Sequence, residues 1–376
     1  MLKNHLSPRL AKTACTFALA FAPAFALADS YTQTNLISDI PGLAAVTDPN
    51  LKNPWGVSFS GTSPFWVSDQ ATGVATLYTG VPAITPLVVS VPGSAGGPSG
   101  PTGQVFNTST GFSINKGTAA TFIFDNLNGT ISAWNGAQGT TAVIQATTPG
   151  AIYTGLTQIT NGSTSFLYAA DSTGSIHVFD STWTDVTATT FAGKFTDATI
   201  PAGFTPYNIQ NINGNLYVTY SNRGAGGGFV DEYDANGNFL GRIATNGPLD
   251  EPWGIVLAPS GFGTFSNDLL IGNFGNGEIN AYDPSTDTFL GTLEGANGQP
   301  IVNSGLWALE TRTGGTGNNT SAVYFTAGIN GEQDGLFGEL ALNSTPEPAS
   351  IFGTATGIIA LAMSKFRFNR FGRSRS

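Results

Sequence analysis

The sequence predicts an all-β fold, a six-bladed β-propeller, from three observations. Glycine supplies 49 of the 376 residues, and charged residues make up only 10 %. Short segments rich in β-branched and aromatic residues alternate with glycine turns, a composition typical of all-β domains. A four-strand pattern also recurs with a period near 50 residues, as in the blades of a propeller.

Six repeat openings define the blades. Each opening joins a turn to a short strand that contains a small residue, and the openings recur every 46 to 53 residues. The aligned positions are Gly56, Gly103, Gly155, Asn208, Gly254 and Gly305. A second strand and a third follow each opening, and the fourth strand is clearest at Phe239–Ile243 and Phe289–Leu293. One blade cannot bury both faces of its sheet, so the six blades are expected to stack around an axis as in NHL-like propellers.

The ring needs a closing strand. The sixth repeat runs out of sequence before a fourth strand, whereas the N-terminus has a spare strand, Tyr31 to Ile37. Pairing that strand into the last blade closes the ring and removes an exposed sheet edge. We therefore predict one propeller domain over residues 29–343.

Residues 1–28 have the features of a secretory signal peptide. Three basic residues precede the apolar stretch Ala14 to Ala22, and Ala26 and Ala28 form an A-x-A cleavage site. Cleavage there starts the mature chain at Asp29. The single cysteine, Cys15, lies in the removed segment, so the mature body is predicted to have no disulfide.

Residues 344–376 form the second predicted sorting segment. Pro346, Glu347 and Pro348 precede an apolar run over residues 351–363 and a basic end of five residues. Thirteen residues are short against the roughly 20 of a relaxed membrane span. An apolar run with a basic end nevertheless fits a short hydrophobic helix that enters the membrane transiently, with its positive end inside.

This tail resembles the PEP-CTERM sorting signal. The resemblance implies a bacterial protein that is exported through the inner membrane and sorted by an exosortase-type enzyme. It also implies a location at the cell surface or outside the cell. An ordinary tail anchor is the alternative interpretation of the same residues.

The charge of the body excludes some partners. Between the two terminal segments the chain has six basic and 23 acidic residues, a net charge of −17. Nucleic acids and anionic membranes bind basic patches, so nucleic acid is not expected as a partner of this body. Bound cations are compatible with it.

Several segments of the body resemble one family of exported proteins that often carry PEP-CTERM tails. These segments include Asn35–Asp39, Asn53–Gly56, Pro252–Ile255 and Asp334–Gly338. The resemblance extends over roughly residues 31–340 and implies a propeller and export. It implies no activity and no catalytic residue.

A candidate ligand face follows from propeller topology. Turns before first strands and turns after second strands lie on one face, because the second strand returns to the face that the first one leaves. This predicts a shared surface formed by Trp55, Asp69, Asp125, Asp171, Tyr207, Trp253 and Asn273. Aromatic and carboxylate groups there would suit a sugar, or Ca²⁺ with about 6–8 oxygen ligands.

A structural interpretation of the same residues is favoured over the ligand face. The acidic and amide residues each precede a glycine by three or four positions, as in Asx-turned hairpins. The tryptophans would then pack blades together. His177 is the only histidine of the mature chain, which excludes a histidine cluster for metal, and any Ser-His-Asp site would have to use it.

Two functions are compatible with these features. The first is a non-catalytic binding protein of the cell surface or extracellular matrix, with a polysaccharide or a protein as partner. The alternative is a Ca²⁺-dependent propeller hydrolase or lyase. Three or more carboxylate or amide oxygens converging at the channel mouth would favour the enzyme, whereas a channel mouth plugged by tryptophan and proline would favour the binding protein.

Overall fold

The computed structural model describes residues 29–93, 99–161, 164–314 and 318–343, which form 24 strands in six sheets. In chain order the strands are β1 (Tyr31–Ser38), β2 (Val46–Thr47), β3 (Pro54–Ser58), β4 (Phe65–Asp69), β5 (Val74–Thr79), β6 (Ala83–Ser90), β7 (Pro101–Phe106), β8 (Phe122–Asn126), β9 (Thr130–Trp134), β10 (Val143–Thr147), β11 (Tyr153–Asn161), β12 (Thr164–Asp171), β13 (Ser175–Asp180), β14 (Thr205–Ile212), β15 (Asn215–Ser221), β16 (Phe229–Tyr233), β17 (Phe239–Thr245), β18 (Pro252–Leu257), β19 (Leu269–Asn273), β20 (Ile279–Tyr282), β21 (Phe289–Thr292), β22 (Leu306–Thr311), β23 (Val323–Ala327) and β24 (Leu336–Leu342). A helical turn, α1, covers Ile329–Glu332, and 3-10 turns cover Ile114–Lys116, Gly136–Gln138 and Gly263–Phe265.

The sheets are the six blades of a propeller, as predicted. Blade 1 is β3 to β6, blade 2 is β7 to β10, blade 3 is β11 to β13, blade 4 is β14 to β17, and blade 5 is β18 to β21. Burial falls from the axis to the rim: β3 and β4 are buried throughout, whereas β6 and β21 are largely exposed. Apolar clusters fill the spaces between neighbouring blades, and each fully buried large aliphatic side chain contributes about 1.5–3 kcal/mol.

Blade 6 is closed by the N-terminal strand, which confirms the predicted closure. Strand β1 pairs antiparallel with β24, with Tyr31 opposite Leu342 and Ser38 opposite Leu336. Tyr31 also stacks on Phe262 at 4.5 Å and donates a hydrogen bond from Oη to the Phe262 carbonyl at 2.9 Å. The first described residues therefore anchor the last blade to the loop of its neighbour.

Blade 3 departs from the predicted four strands. Its described part has three strands, and turns occupy the fourth position after Asp180. One carboxylate oxygen of Asp180 accepts hydrogen bonds from the backbone N–H groups of Thr182 and Thr184, and the pairing with β13 that follows is limited to one isolated bridge, Phe179 with Asp185. Phe191 and Phe195 then cover Tyr168 at 5.8 and 5.9 Å in place of a strand.

The propeller has two different faces. First strands begin and second strands end at the plug face, named for the aromatic side chains of Trp55 and Trp253 that fill it. First strands end and fourth strands begin at the basin face, named for the open cavity near Glu310. Strand β24 runs from the plug face to the basin face, so the described chain ends there at Asn343, whose N–H bonds the Ser30 carbonyl at 2.8 Å.

Both predicted terminal segments, residues 1–28 and 344–376, lie outside the described residues, including the predicted short hydrophobic helix over 351–363. Within the described part of the chain, no helix has the length and apolarity needed to cross a membrane.

Candidate functional site

An aromatic plug fills the channel at the plug face. Trp55 stacks on Trp307 with ring centroids 3.5 Å apart, and Trp253 meets both rings edge-on at 6.1 and 5.7 Å. Tyr207 contacts Trp307 at 5.9 Å, and Phe274 contacts it at 4.3 Å. The structure thus brings together Trp55, Tyr207 and Trp253 of the predicted ligand face, all of them buried.

Trp307 also belongs to this plug, although the predicted alignment of the sixth opening did not match it with Trp55. Leu306 pairs with Ala327 as Pro54 pairs with Asp69 in blade 1. Trp307 is therefore the counterpart of Trp55, and the small position of blade 6 is Ala308 instead of Gly305. A small residue is needed at Gly254 because the inner strands of blades 5 and 6 approach closely there: a Cβ on Gly254 would lie 2.5 Å from the Trp307 carbonyl oxygen.

The acidic and amide residues of the predicted face lie at the ends of second strands, where each makes hydrogen bonds to nearby groups of the protein. One oxygen each of Asp69, Asp125 and Asn273 is nevertheless buried without a side-chain hydrogen-bond partner in the part of the chain that the structure describes. Asp69 accepts a hydrogen bond from Thr76 Oγ1 at 2.6 Å, and Asp125 accepts one from Thr102 Oγ1 at 2.6 Å. Asn273 donates to the Pro248 carbonyl at 2.8 Å. No group of three or more metal-ligating side chains occurs among the described residues.

Burial changes the ionisation of these carboxyls. Desolvation raises the pKa of Asp125 to about 7, against the hydrogen bond from Thr102. Desolvation also raises the pKa of Asp69 well above its ordinary value. Both carboxyl groups are buried, so their hydrogen bonds stabilise the blades and are not available to a ligand.

Arg223 covers the plug from outside. Its guanidinium lies 4.9 Å from the ring centre of Phe274 and 5.6 Å from that of Tyr207. Glu332 holds it by an ion pair of 3.3 Å, and the amide of Asn53 donates to the second oxygen of Glu332 at 3.0 Å. The attraction between a cation and the faces of aromatic rings is favourable. Arg223 therefore covers the aromatic plug on its outer side.

His177 lies between two aspartates at the edge of blade 3. Its Nε2 is 3.3 Å from Asp171 Oδ2, and its Nδ1 is 3.1 Å from Asp185 Oδ2. The hydrogen bond to Asp171 is the main cause of a raised His177 pKa, and Asp185 adds to it. Asp171, a residue of the predicted ligand face, is therefore part of an ion-pair network with His177 and Asp185 within blade 3.

Replacing His177 with glutamine should flatten part of the pH dependence of stability. The folded protein binds the imidazole proton more tightly than the unfolded chain. The ion pairs therefore contribute fully below about pH 6.5, and their contribution is lost as pH rises through the folded pKa. The free energy of unfolding of the wild type should exceed that of His177→Gln at pH 6. This difference should be about 1 kcal/mol smaller at pH 9.

Urea unfolding at both pH values measures this difference. Subtracting the variant from the wild type removes the contributions of Asp125 and other groups that titrate in the same range. Asp185→Asn, which removes one of the two partners, should show an intermediate difference. A wild-type advantage that stays constant with pH would contradict the assignment.

An open cavity, the basin, occupies the opposite end of the channel. Its volume is about 390 Å³, and inner strands of blades 1, 2, 3, 4 and 6 line it. The long polar side chains of its wall are Gln104, Gln158, Gln210, Asn211 and Glu310. A narrower part of the channel, with space for about one water molecule, separates the basin from the plug.

Two of these glutamines have structural roles. Gln104 Nε2 donates to the carbonyls of Gly56 and Trp66 at 2.8 and 3.0 Å, which ties blade 2 to blade 1. Gln158 Nε2 donates to Asn107 Oδ1 at 2.8 Å. Their hydrogen-bonding capacity is largely used inside the protein.

Gln210 and Glu310 have hydrogen-bonding capacity to spare. Among the described contacts the Gln210 amide makes no hydrogen bond, and the Glu310 carboxylate accepts one, from the Thr311 N–H at 3.0 Å. Both side chains line the basin and the narrow channel beneath it. Desolvation in the channel raises the pKa of Glu310 to about 7.

Sequence reasoning missed Gln210 and Glu310. The signal was present: Gln104, Gln158, Gln210 and Glu310 each lie within three residues of the small position of a blade opening, once the sixth position is corrected to Ala308. Inner strands of a propeller are buried, so repeated long polar side chains there indicate a polar channel.

The chain has relatives of similar size. Two uncharacterized proteins of Acanthamoeba polyphaga mimivirus are each 29 % identical to it. One alignment covers 81 % of this chain and 78 % of the relative, and the other covers 90 % and 93 %. No family model matches the chain.

Solved structures that resemble the fold share little sequence with it. A streptogramin B lyase structure has a TM-score of 0.46 and 13 % identity, and the match covers 84 % of this chain and 98 % of that one. A chain of a nidogen/laminin complex has a TM-score of 0.42 and 14 % identity, and the match covers 72 % and 84 %. The blades described above establish this chain as a six-bladed β-propeller.

Proposed function

We propose that this protein is an exported, non-catalytic binding propeller that holds a polysaccharide segment in the basin. One observation carries the proposal: an open cavity of about 390 Å³ has Gln210 and Glu310 at its base, both with free hydrogen-bonding capacity. Ligand cavities commonly have volumes of about 300–1,000 Å³ and a few well-placed polar groups.

The chemistry of the two side chains suits sugar hydroxyls. A carboxylate accepts hydrogen bonds from neighbouring hydroxyl groups, and an amide both donates and accepts. Apolar walls formed by Val57, Phe106 and Leu156 complete the lining, which suits the C–H faces of a sugar ring. A protein partner that inserts a polar loop is the second binding mode of the same cavity.

Export and sorting are part of the proposal. The signal-like residues 1–28, with the Ala26 and Ala28 cleavage site, take the chain through the inner membrane of a bacterium. An exosortase-type enzyme then recognises Pro346, Glu347 and Pro348 while residues 351–363 lie transiently in the membrane. The acidic body is thereby delivered to the cell surface or the matrix, where polysaccharide is available.

The calcium-dependent hydrolase or lyase remains a hypothesis, and the same experiment tests it. A glycan array identifies the ligand, metal analysis of the purified protein reports bound Ca²⁺, and product analysis of the best glycan reports turnover. Turnover that requires Ca²⁺ would replace the binding function with the enzymatic one.

Glu310→Gln should weaken binding of the best array ligand about 10- to 100-fold at pH 8, because hydrogen bonds to charged groups contribute about 1.5–3 kcal/mol. Calorimetric titration measures the loss. Wild-type affinity should also fall as pH decreases through about 7, where Glu310 becomes protonated, whereas the affinity of the variant should change little.

Glu278→Gln is the matched control. Glu278 directly precedes β20, a third strand, and third strands begin at the plug face, so Glu278 lies away from the basin. It should bind like the wild type. Equal loss in both variants, or unchanged binding in Glu310→Gln, would show that the ligand is held elsewhere.

A further inference from the structure

Exposed apolar side chains are concentrated on one face of the propeller. Nine large apolar side chains are exposed in the described part of the chain. Seven of them lie at the starts of fourth strands or in the turns that precede them: Val81, Ile84, Ile144, Phe239, Leu240, Phe289 and Leu290. Fourth strands begin at the basin face, so these residues form an apolar rim around it.

The rim is densest on blades 4 and 5, which are neighbours. Phe239 and Leu240 open β17 and are 44 % and 51 % exposed, and Phe289 and Leu290 open β21 and are 43 % and 45 % exposed. Each pair exposes two large apolar side chains that are adjacent in the chain, and exposed apolar patches on soluble proteins mark interaction sites for proteins or membranes. The remaining two exposed apolar residues, Leu43 and Val302, lie in loops at the plug face.

The chain leaves the propeller at this same face. Strand β24 ends at Leu342 on the basin-face side, and eight residues separate it from the apolar run that starts at Ile351. A fully extended segment of eight residues spans about 25–30 Å. A tail inserted at residue 351 would therefore hold the basin face close to the membrane surface.

We infer that the apolar rim contacts the lipid surface while the tail is attached, so that the propeller stands with its basin face toward the membrane. The inference rests on the membrane role proposed for residues 351–363. Phenylalanine and leucine side chains at the rim would enter the headgroup region, as apolar faces of interfacial segments do. The plug face, with Arg223 and Glu332, would point away.

Charge selects the kind of lipid. Asp234 lies in the turn before β17, and Asp283 and Asp287 lie in the turn before β21. These three carboxylates outnumber Lys194, whose Nζ donates to Asn238 Oδ1 at 2.7 Å beside the rim. They repel anionic headgroups, so the expected surface is zwitterionic.

The experiment uses residues 29–376, the predicted mature body with its tail, which contain no cysteine, in phosphatidylcholine vesicles. Leu240→Cys places a fluorescent label on the rim, and Val302→Cys places it on the plug face at a position of similar exposure, 51 % against 56 %. Quenching by spin-labelled lipid is then compared at the two positions. We expect quenching at position 240 to exceed that at position 302 at least threefold.

The outcomes separate the two proposals. If the protein fails to float with the vesicles, the membrane role of the tail is wrong and the orientation falls with it. If it floats but both labels are quenched equally, the tail role stands and the rim contact is overturned. Stronger quenching at position 302 would overturn it by showing the opposite orientation.

Discussion

Trp307→Ala should lower the free energy of unfolding by about 3–5 kcal/mol, the range for deleting a large buried aromatic side chain. Trp307 is fully buried and stacks between Trp55 and Phe274 at the axis. Its Nε1 also donates to Asn53 Oδ1 at 2.9 Å, so the substitution leaves a buried acceptor without its donor. Natural domains are stable by about 5–15 kcal/mol, so a loss of this size is a large fraction of the total.

Urea unfolding measures the effect as a lower midpoint at an unchanged slope. Phe289→Ala is the control, because its ring is 43 % exposed at the rim, and a loss below about 1 kcal/mol is expected. Trp307→Phe keeps a stacked ring but loses the hydrogen bond, so its stability should lie between the wild type and Trp307→Ala. Similar midpoints for Trp307→Ala and Phe289→Ala would show that the plug is not a stabilising centre.

Ile37→Asp should open the ring. Ile37 is fully buried in the core shared by blades 1 and 6 and lies on β1, the strand that closes the sheet. The substitution removes apolar contacts and buries a carboxylate without a partner, a combination that costs several kcal/mol. We expect blade 6 to lose its fourth strand and the free energy of unfolding to fall by at least about 4 kcal/mol.

Hydrogen exchange provides the measurement with local detail, because the amides of β24 and β1 should lose protection before those of blades 2 and 3. Thr34→Asp is the matched control: it adds the same charge to the same strand at an exposed position. It should leave exchange nearly unchanged. Equal protection in Ile37→Asp and Thr34→Asp would contradict a closing role for β1.

The plug and the closure have a common consequence for function. The plug closes one end of the channel with Trp55, Trp253 and Trp307, and β1 joins the ends of the ring. The basin near Glu310 is then a cavity with one open mouth, and its wall is formed by paired inner strands. A wall held in place by paired strands would reduce the ordering cost of binding, in line with the binding function proposed above.

Prediction from sequence succeeded where a local pattern repeats. The six openings and the spare strand at Tyr31 gave the number of blades and the closure, because each blade repeats one arrangement of strands and turns. It went wrong in blade 3, where turns and one isolated bridge follow Asp180 in place of a fourth strand. The alignment of the sixth repeat was also wrong: Gly305 was matched with Gly56, whereas the strand pairing matches Ala308 with Gly56.

The site was harder to predict than the fold. Trp55, Tyr207 and Trp253 were expected on one face, and they do meet. Whether they form a platform or a plug depends on Trp307, which stacks on Trp55 and removes its face from solvent. That contact joins residues about 250 positions apart in the chain and leaves no local signal in the sequence.

By itself, the sequence determined an all-β chain of six repeats, an acidic body without cysteine, and two distinctive ends, because composition and periodicity act locally along the chain. Only the tertiary structure decided where each polar group lies. Asp69 and Asp125 are buried and accept hydrogen bonds from neighbouring threonines, whereas Gln210 and Glu310 both line an open cavity. The physical reason is that ring closure brings inner strands from distant repeats to one axis, and burial there sets both the contacts and the pKa of Glu310.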